Sequence, residues 1–275
     1  MIPENFDFLS RLVKSRSGLI LTPDKCYMLE ARLAPLLRRE RLASLDALAQ
    51  RLRDPRADAI AEAVTEALTT NESSFFRDGR PFEHLRKFLP RLAAARPPGA
   101  TLRVWSAACS TGQEAYSIAM TVAELGTELG GRRVEILGTD IAQEVLQRAR
   151  DGAFTQFEVQ RGLPVRLLVK HFTQEQGRWR IAPELRAMVR FDRWNLLSEL
   201  RLLGRFDLIF CRNVLIYFDP PTKSRVLASV AAQLAPDGAL YLGGAETVLG
   251  LTDRLVPMAG ERGVYELARA VALAG

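Results

Sequence analysis

Apolar residues recur at three- and four-residue spacing through the first third of the chain: Phe8, Leu12 and Val13, then Met28, Leu29, Leu33, Leu36 and Leu37, then Leu42, Leu45 and Leu48, then Ile60, Val64 and Leu68. That period puts each set on one face of a short helix. Thr22-Pro23-Asp24 and Ser44-Leu45-Asp46 stand where helices start, and Asp54-Pro55 stands where one stops. An all-helical N-terminal domain over residues 1–86 is therefore expected. Ala93-Ala-Ala-Arg-Pro-Pro-Gly99 interrupts the pattern and predicts a linker over 87–99.

From residue 100 the period changes. Short apolar runs predict strands at Leu102–Ser106, Val134–Thr139, Val189–Phe191, Leu208–Cys211, Ala239–Leu242 and Gly263–Leu267. Helical patterns lie between most of them, at Glu114–Leu125, Ala142–Ala149 and Pro221–Leu234, the last stopped by Pro236-Asp237-Gly238. Strand alternating with helix is the signature of a mainly parallel, doubly wound α/β sheet, here over residues 100–275. Residues 152–190 fall out of this rhythm. They carry a helical patch, Leu163–Phe172, and then Gly177-Arg-Trp-Arg-Ile181, one arm of a hairpin, so an inserted antiparallel β-subdomain is expected.

The strand ends hold the candidate chemistry. Arg103-Val-Trp-Ser-Ala-Ala-Cys-Ser-Thr-Gly-Gln-Glu-Ala-Tyr116 reads as a strand and a small-residue turn opening a helix, and Val134-Glu-Ile-Leu-Gly-Thr-Asp140 as a second strand ending in a carboxylate. In a doubly wound sheet an acid at the end of the second strand accepts hydrogen bonds from ribose hydroxyls. The turn lacks both the three-glycine dinucleotide pattern and a Walker lysine, so the expected ligand carries a ribose without a pyrophosphate, and S-adenosylmethionine fits that description. A structural turn is the alternative. Asn195 and Leu196, after the third strand, suit the edge and face of an adenine, and a turn asparagine explains Asn195 equally well. Arg212 and Asn213 end an apolar strand, where polar side chains face the ligand crevice or need dedicated partners. Thr69-Thr-Asn-Glu-Ser-Ser-Phe-Phe-Arg77, taken alone, reads as a capped helix start.

Composition narrows the field. The chain has 275 residues, of which 48% are hydrophobic, enough for a sizeable core. Its three cysteines, Cys26, Cys109 and Cys211, are widely spaced and contain no Cys-x-x-Cys pair, and His84 and His171 do not cluster, so neither a disulfide framework nor a metal site is expected. No basic-then-apolar leader and no long apolar run is present, which makes a cytoplasmic protein without direct membrane insertion the expectation. The formal charge of +6 points to acidic partners: nucleic acid, an anionic surface or an acidic protein.

Taken together, Asn71 to Arg77, Trp105 to Ala119, Gly138-Thr-Asp140, Asn195-Leu-Leu197 and Cys211 to Phe218 resemble the chemotaxis receptor methyltransferase family, CheR, in order and spacing over nearly the whole chain. The resemblance implies a Rossmann-like class I methyltransferase domain and an S-adenosyl-L-methionine-dependent protein-glutamate O-methyltransferase yielding S-adenosyl-L-homocysteine. Its partner would be the cytoplasmic helical bundle of a methyl-accepting chemotaxis receptor. By the same resemblance Asn71, Ser73, Arg77, Glu114, Asp140, Asn195, Leu196, Arg212 and Asn213 surround the cofactor, and Arg77 and Tyr217 lie nearest the transferred methyl. Ser73 stands where relatives can have threonine, and Gln113 where glutamate is frequent. Some relatives grip a receptor C-terminal pentapeptide with a Gly-Tyr-Gly loop in the inserted subdomain. Residues 152–190 contain no such sequence, so independence of that tether is expected. Pro35 to Arg56 carries six arginines against three acids, a candidate receptor-docking surface or a solvated helix face. A nucleic-acid methyltransferase and a cofactor-binding scaffold without turnover are the competing readings. The first expects an Asn/Asp-Pro-Pro-aromatic sequence where Arg212-Asn-Val-Leu-Ile-Tyr217 stands. Neither the receptor nor the oligomeric state is legible.

Overall fold

A computed structural model describes residues 1–268, and the chain divides into two compact units. The first comprises Met1–Thr70 and Tyr217–Thr222. Its helices are α1 (Pro3–Ser17), α2 (Cys26–Arg39), α3 (Leu45–Arg51) and α4 (Asp58–Leu68). Proline at the first position starts α1, and Gly18 ends it in the left-handed conformation. Ser44 caps α3 by accepting from the Ala47 N–H at 3.1 Å, as its sequence predicts. Leu9, Val13, Leu29, Leu33, Leu48 and Val64 form the fully buried interior. Phe8 and Leu12 pack at its margin, one step off the buried stripe that α1 makes with Phe6, Leu9 and Val13. Tyr217–Thr222 joins this unit through a bridge between Leu19 and Phe218 and an ion pair between Lys14 and Asp219 at 2.6 Å. Linear periodicity gives no means of assigning a segment that distant in the chain.

The second unit comprises Asn71–Ile216 and the chain from Lys223 onward. Its sheet-forming strands are β1 (Thr101–Ala107), β2 (Arg133–Asp140), β6 (Val189–Arg193), β7 (Phe206–Cys211), β8 (Leu234–Tyr241), β9 (Leu255–Pro257) and β10 (Val264–Leu267). They form one seven-stranded sheet in the order β6-β2-β1-β7-β8-β10-β9. Pairing is parallel from β6 through β8, and β10 runs antiparallel to both of its neighbours. The chain builds outward from β1 through β2 to β6, then returns to the other side of β1 with β7. The switch point, where ligands bind in such sheets, is thus the crevice at the carboxyl ends of β1 and β7. Helices α5 (Arg80–Ala94), α6 (Gln113–Leu125), α7 (Gln143–Asp151) and α11 (Pro220–Gln233) accompany the strands.

The inserted antiparallel subdomain is present: β3 (Ala153–Phe154), β4 (Phe172–Glu175) and β5 (Arg178–Ile181) make a three-stranded sheet ordered β3-β5-β4, with helices α8 (Gln156–Gln160), α9 (Val165–His171) and α10 (Pro183–Ala187) beside them. The turn joining β4 to β5 is Gln176-Gly177, both with positive φ, as a two-residue hairpin requires. Phe75 seats this sheet on the unit's core, its ring 4.9 Å from Phe154 and 5.7 Å from Phe172.

Three sequence expectations change. The second compact unit begins at Asn71, and the stretch read as a linker over 87–99 begins inside α5, whose Leu89, Leu92 and Ala93 are buried in the core. The break after it is pinned, because the Arg96 guanidinium pairs with Asp207 and Asp237, each at 2.6 Å. Pro236-Asp237-Gly238 does not stop α11 ahead of the strand. β8 already starts at Leu234, and these residues lie in a register shift opposite Phe206 and Leu208. Glycine is required there, since a Cβ on Gly238 would stand 2.4 Å from the Asp207 carbonyl oxygen. Strand β9 is absent from the sequence reading. At three residues it carries no period. Of the expected domain to residue 275, the last seven residues lie outside those described.

Candidate functional site

The turn after β1 sets the geometry. Ala108 and Ser110 adopt φ of 55° and 52°, and Gly112 follows at 92°. Small side chains tolerate this left-handed run, which costs roughly 1 kcal/mol per non-glycine residue. A Cβ on Gly112 would meet Ala149 at 3.0 Å and Phe191 at 3.2 Å, so glycine also permits the close approach of α6 to α7 and β6. Cys109 N–H donates to the Thr139 carbonyl at 2.9 Å, and Ser110 Oγ donates to the Asn71 carbonyl at 2.7 Å. The expected site segments at Asn71, Ser110 and Asp140 are thereby locked together.

Asp140, at the end of β2, is buried. Its two carboxylate oxygens accept the N–H groups of Ser110 at 2.9 Å and Ala142 at 3.0 Å. The Ser110 amide lies in the turn after β1, where a phosphate-binding turn would aim its amides at a ligand. Here a carboxylate occupies it, so the turn presents negative charge, which suits hydroxyl donors and cations and opposes a phosphate. The donor set therefore suits a ribose and a cationic ligand and does not suit a pyrophosphate. That is the fit demanded by S-adenosylmethionine, which carries a ribose, a sulfonium and an ammonium group.

Glu114, in the first turn of α6, belongs to a second polar chain. Its Oε1 accepts from Ser106 Oγ at 2.7 Å and its Oε2 from Arg212 Nη1 at 2.9 Å. The Arg212 side chain is 1% exposed, and its Nη2 donates to Asp78 Oδ2 at 2.6 Å and to the Arg77 carbonyl at 2.9 Å. Its Nε is buried without a hydrogen-bond partner. Both terminal nitrogens of Arg212 are thus committed to protein. It acts by holding Glu114 and the Arg77–Asp78 backbone in place, the dedicated partnership that a buried guanidinium needs.

Arg77 is half-buried, and its Nη1 donates to the Glu72 carbonyl at 3.2 Å. Its loop is held from both sides, by the buried Phe75 and by Phe76, whose N–H donates to Ser117 Oγ at 2.9 Å. The Thr69–Arg77 segment is therefore an anchored loop rather than a cap: α4 has ended at Leu68, and the next helix, α5, starts at Arg80, with Gly79 as its N-cap. Ser73 lies half-buried in the same loop. Asn195 Oδ1 accepts from the Leu197 N–H at 2.9 Å in a local turn that fixes the amide, with Leu196 half-buried beside it. Gln113 is buried and accepts from Thr111 Oγ1 at 2.8 Å. Asn71, Ser73, Arg77, Glu114, Asp140, Asn195, Leu196, Arg212 and Asn213 all belong to the second unit, whereas Tyr217 groups with the first, its carbonyl accepting from the Ile20 N–H at 3.0 Å.

Sequence reasoning overlooked Glu246. It follows β8 in Gly243-Gly-Ala-Glu246, and its carboxylate accepts the N–H groups of Asn213, Val214, Leu215, Ile216 and Gly243 at 2.6 to 3.3 Å. The left-handed Asn213, at φ 59°, starts this turn. A Cβ on Gly243 would lie 2.7 Å from Asn213 Nδ2, so the glycine is what lets the two loops meet. An acid after a glycine pair at a strand end was the available signal.

Two cysteines border the site without reacting in it. Burial, reinforced by nearby carboxylates, pushes the Cys109 and Cys211 thiols well above their ordinary range, so both are protonated at neutral pH. Among the described residues no helix is long and apolar enough to cross a membrane.

Comparison with known proteins accords with this geometry. Residues 71–264 match the family described as CheR methyltransferase, SAM binding domain, and residues 4–69 match the CheR methyltransferase all-alpha domain. The chain is 41% identical over 248 residues to chemotaxis protein methyltransferase 1 of Vibrio cholerae, covering 89% of each chain. It is 38% identical to chemotaxis protein methyltransferase 1 of Pseudomonas aeruginosa, covering 90% of this chain and 92% of the relative. With the chemotaxis protein methyltransferase of Escherichia coli it shares 36% identity over 96% of this chain and 91% of the relative.

Proposed function

The chain belongs to the CheR family of S-adenosylmethionine-dependent chemotaxis protein methyltransferases, and on that premise we propose that it esterifies glutamate side chains of a methyl-accepting chemotaxis receptor in the cytoplasm. The observation that carries this reading is the pair of carboxylates beside adjacent parallel strands, Asp140 at the end of β2 and Glu114 of α6 bonded to Ser106 of β1, with the Ser110 turn amide taken by Asp140. When bound, S-adenosylmethionine supplies a sulfonium methyl that an incoming carboxylate oxygen takes while the C–S electron pair stays on sulfur, leaving an ester and S-adenosylhomocysteine.

The chain's own residues then have limited tasks. A substrate glutamate, with an ordinary pKa of about 4.3, is already an anion at neutral pH, so no general base is needed. Asp140 receives the ribose hydroxyls, Glu114 the ligand's positive charge, and Asn195 with Leu196 the adenine. Asn71, Ser73 and Asn213 complete the enclosure, and Arg212 keeps Glu114 aimed. Arg77 and Tyr217 are assigned to orienting the substrate carboxylate, a task that favours in-line approach over tight binding. The first unit supplies docking. Arg38, Arg41 and Arg56 are exposed and make no side-chain ion pair among the described residues, which suits an acidic helical receptor. Residues 152–190 carry no Gly-Tyr-Gly sequence, which supports methylation without a receptor pentapeptide.

The test is transfer of labelled methyl from S-adenosylmethionine to receptor-containing membranes, with RNA in a parallel reaction. The expected outcome is label in receptor protein released by alkali as methanol. Stable label in RNA would overturn the substrate assignment, and cofactor binding without transfer would favour a scaffold.

A further inference from the structure

A cavity adjoins the loops that Arg212 and Glu246 hold together. It has a volume of about 430 Å³, and Asp78, Gly243 and Glu246 of those loops contribute to its wall together with Arg80, Arg262 and Tyr265. Its charges are unequal in availability. Asp78 is engaged by Arg212 at 2.6 Å, and the Glu246 carboxylate is surrounded by backbone N–H groups of the loop after β7. Arg80 and Arg262 are exposed, and among the described residues neither side chain has an ion pair or hydrogen-bond partner. The hydrogen-bonding groups open to an incoming ligand are therefore the two guanidinium groups, each with a planar fork of donors that matches a carboxylate.

The backbones carrying these arginines are fixed. Arg80 opens α5, following Asp78 and Gly79 at φ of 68° and 63°, and α5 begins without a side-chain cap, so its dipole adds to the positive field. Arg262 sits in the turn between β9 and β10, where Gly263 accepts from the Leu242 N–H at 2.9 Å and Met258 N–H donates to Val264 at 2.9 Å. The turn is thereby tied to the end of β8.

We propose that Arg80 and Arg262 bind a second carboxylate of the methyl-accepting protein, distinct from the one that is esterified. The inference rests on the receptor-glutamate reading and extends it. On a helical substrate, residues three or four positions from the target lie about 5–6 Å away on the same face. An acidic neighbour there would be held by the arginine pair while the target glutamate faces Arg77. The pair would then decide which glutamates of an acidic helix are modified, since a site that recognises charge discriminates against partners lacking it.

The experiment uses the full chain, receptor-containing membranes and labelled S-adenosylmethionine. It compares wild type with R80E/R262E and R80K/R262K, and maps the methylated glutamates by mass spectrometry. The charge-reversed protein is expected to lose about tenfold in kcat/KM for receptor and to change the distribution of methyl among glutamates, with cofactor Kd within about twofold of wild type by calorimetry. The lysine pair keeps the charge but lacks the fork, and recovers part of the rate together with the original distribution. Receptor kcat/KM and distribution unchanged in R80E/R262E, with wild type forming alkali-labile esters, would overturn this inference alone. Wild type forming no receptor ester at all would remove both readings.

Discussion

Arg212 and Arg41 carry the same guanidinium in opposite circumstances. Arg212 is 1% exposed and joins Glu114, Asp78 and the Arg77 carbonyl, while Arg41, with Arg38 and Arg56, stands in solvent on the helical unit without an ion pair among the described residues. A buried charge repays its desolvation only through internal partners, so Arg212 is part of the architecture. An exposed charge in high dielectric contributes little to folding and keeps its field for an incoming partner. The difference separates an arginine that organises the interior of its unit from arginines proposed to meet the substrate, and each group has its own experimental signature.

The largest effect is expected from Arg212→Met. It leaves the mostly enclosed Glu114 carboxylate with Ser106 as its remaining hydrogen-bond partner and should cost about 3–5 kcal/mol in urea unfolding, with cofactor binding lost in calorimetry. Unchanged stability would remove Arg212 from the architectural class. Glu246→Gln comes next. An amide places an N–H donor among backbone N–H groups that now share one carboxylate, so roughly 2–3 kcal/mol of stability should disappear by the same measurement. Reversal of the exposed set, R38E/R41E/R56E, should leave stability and cofactor Kd alone and raise receptor KM about tenfold at low salt, an effect that shrinks as ionic strength rises. An unaltered KM would make that face a solvated surface and nothing more.

The smallest effect tests a tie within the second unit. Lys170 and Arg166 on α9, with His171, surround Glu124 of α6 and bring its carboxyl from an ordinary 4.5 down to about 2. Because the folded-state value is depressed, the stabilisation is fully present above about pH 4.5 and is lost as pH falls toward 2. Glu124→Gln should therefore cost about 1 kcal/mol at pH 7, and its unfolding curve should converge with wild type at the acid end. Equal differences at pH 7 and pH 2 would contradict this origin.

Much of this contrast was legible before any coordinates. Strands β1, β2, β6 and β7 are short apolar runs ending in polar residues, because both faces of a parallel sheet are covered and only the carboxyl ends meet ligand. The acid at Asp140 and the small-residue turn before it follow directly from that pattern. What was hidden depends on contacts between segments remote in sequence. Glu246 gathers the loop after β7 from beyond β8, and the Tyr217–Thr222 segment packs with helices at the other end of the chain. The Phe75-Phe76 pair read as part of a cap because local capping residues were visible, whereas the rings of Phe154 and Phe172 that hold Phe75 lie far along the sequence. β8 was shortened because Pro236 looks like a stop, and only its pairing reveals a shift in register.

The most direct measurement is fragmentation mass spectrometry of the receptor after incubation with the purified protein and S-adenosylmethionine. The account predicts the added methyl on glutamate side-chain oxygen, removed by alkali and absent when S-adenosylmethionine is omitted. A methyl on lysine, arginine or a terminal amine that survives alkali would contradict it.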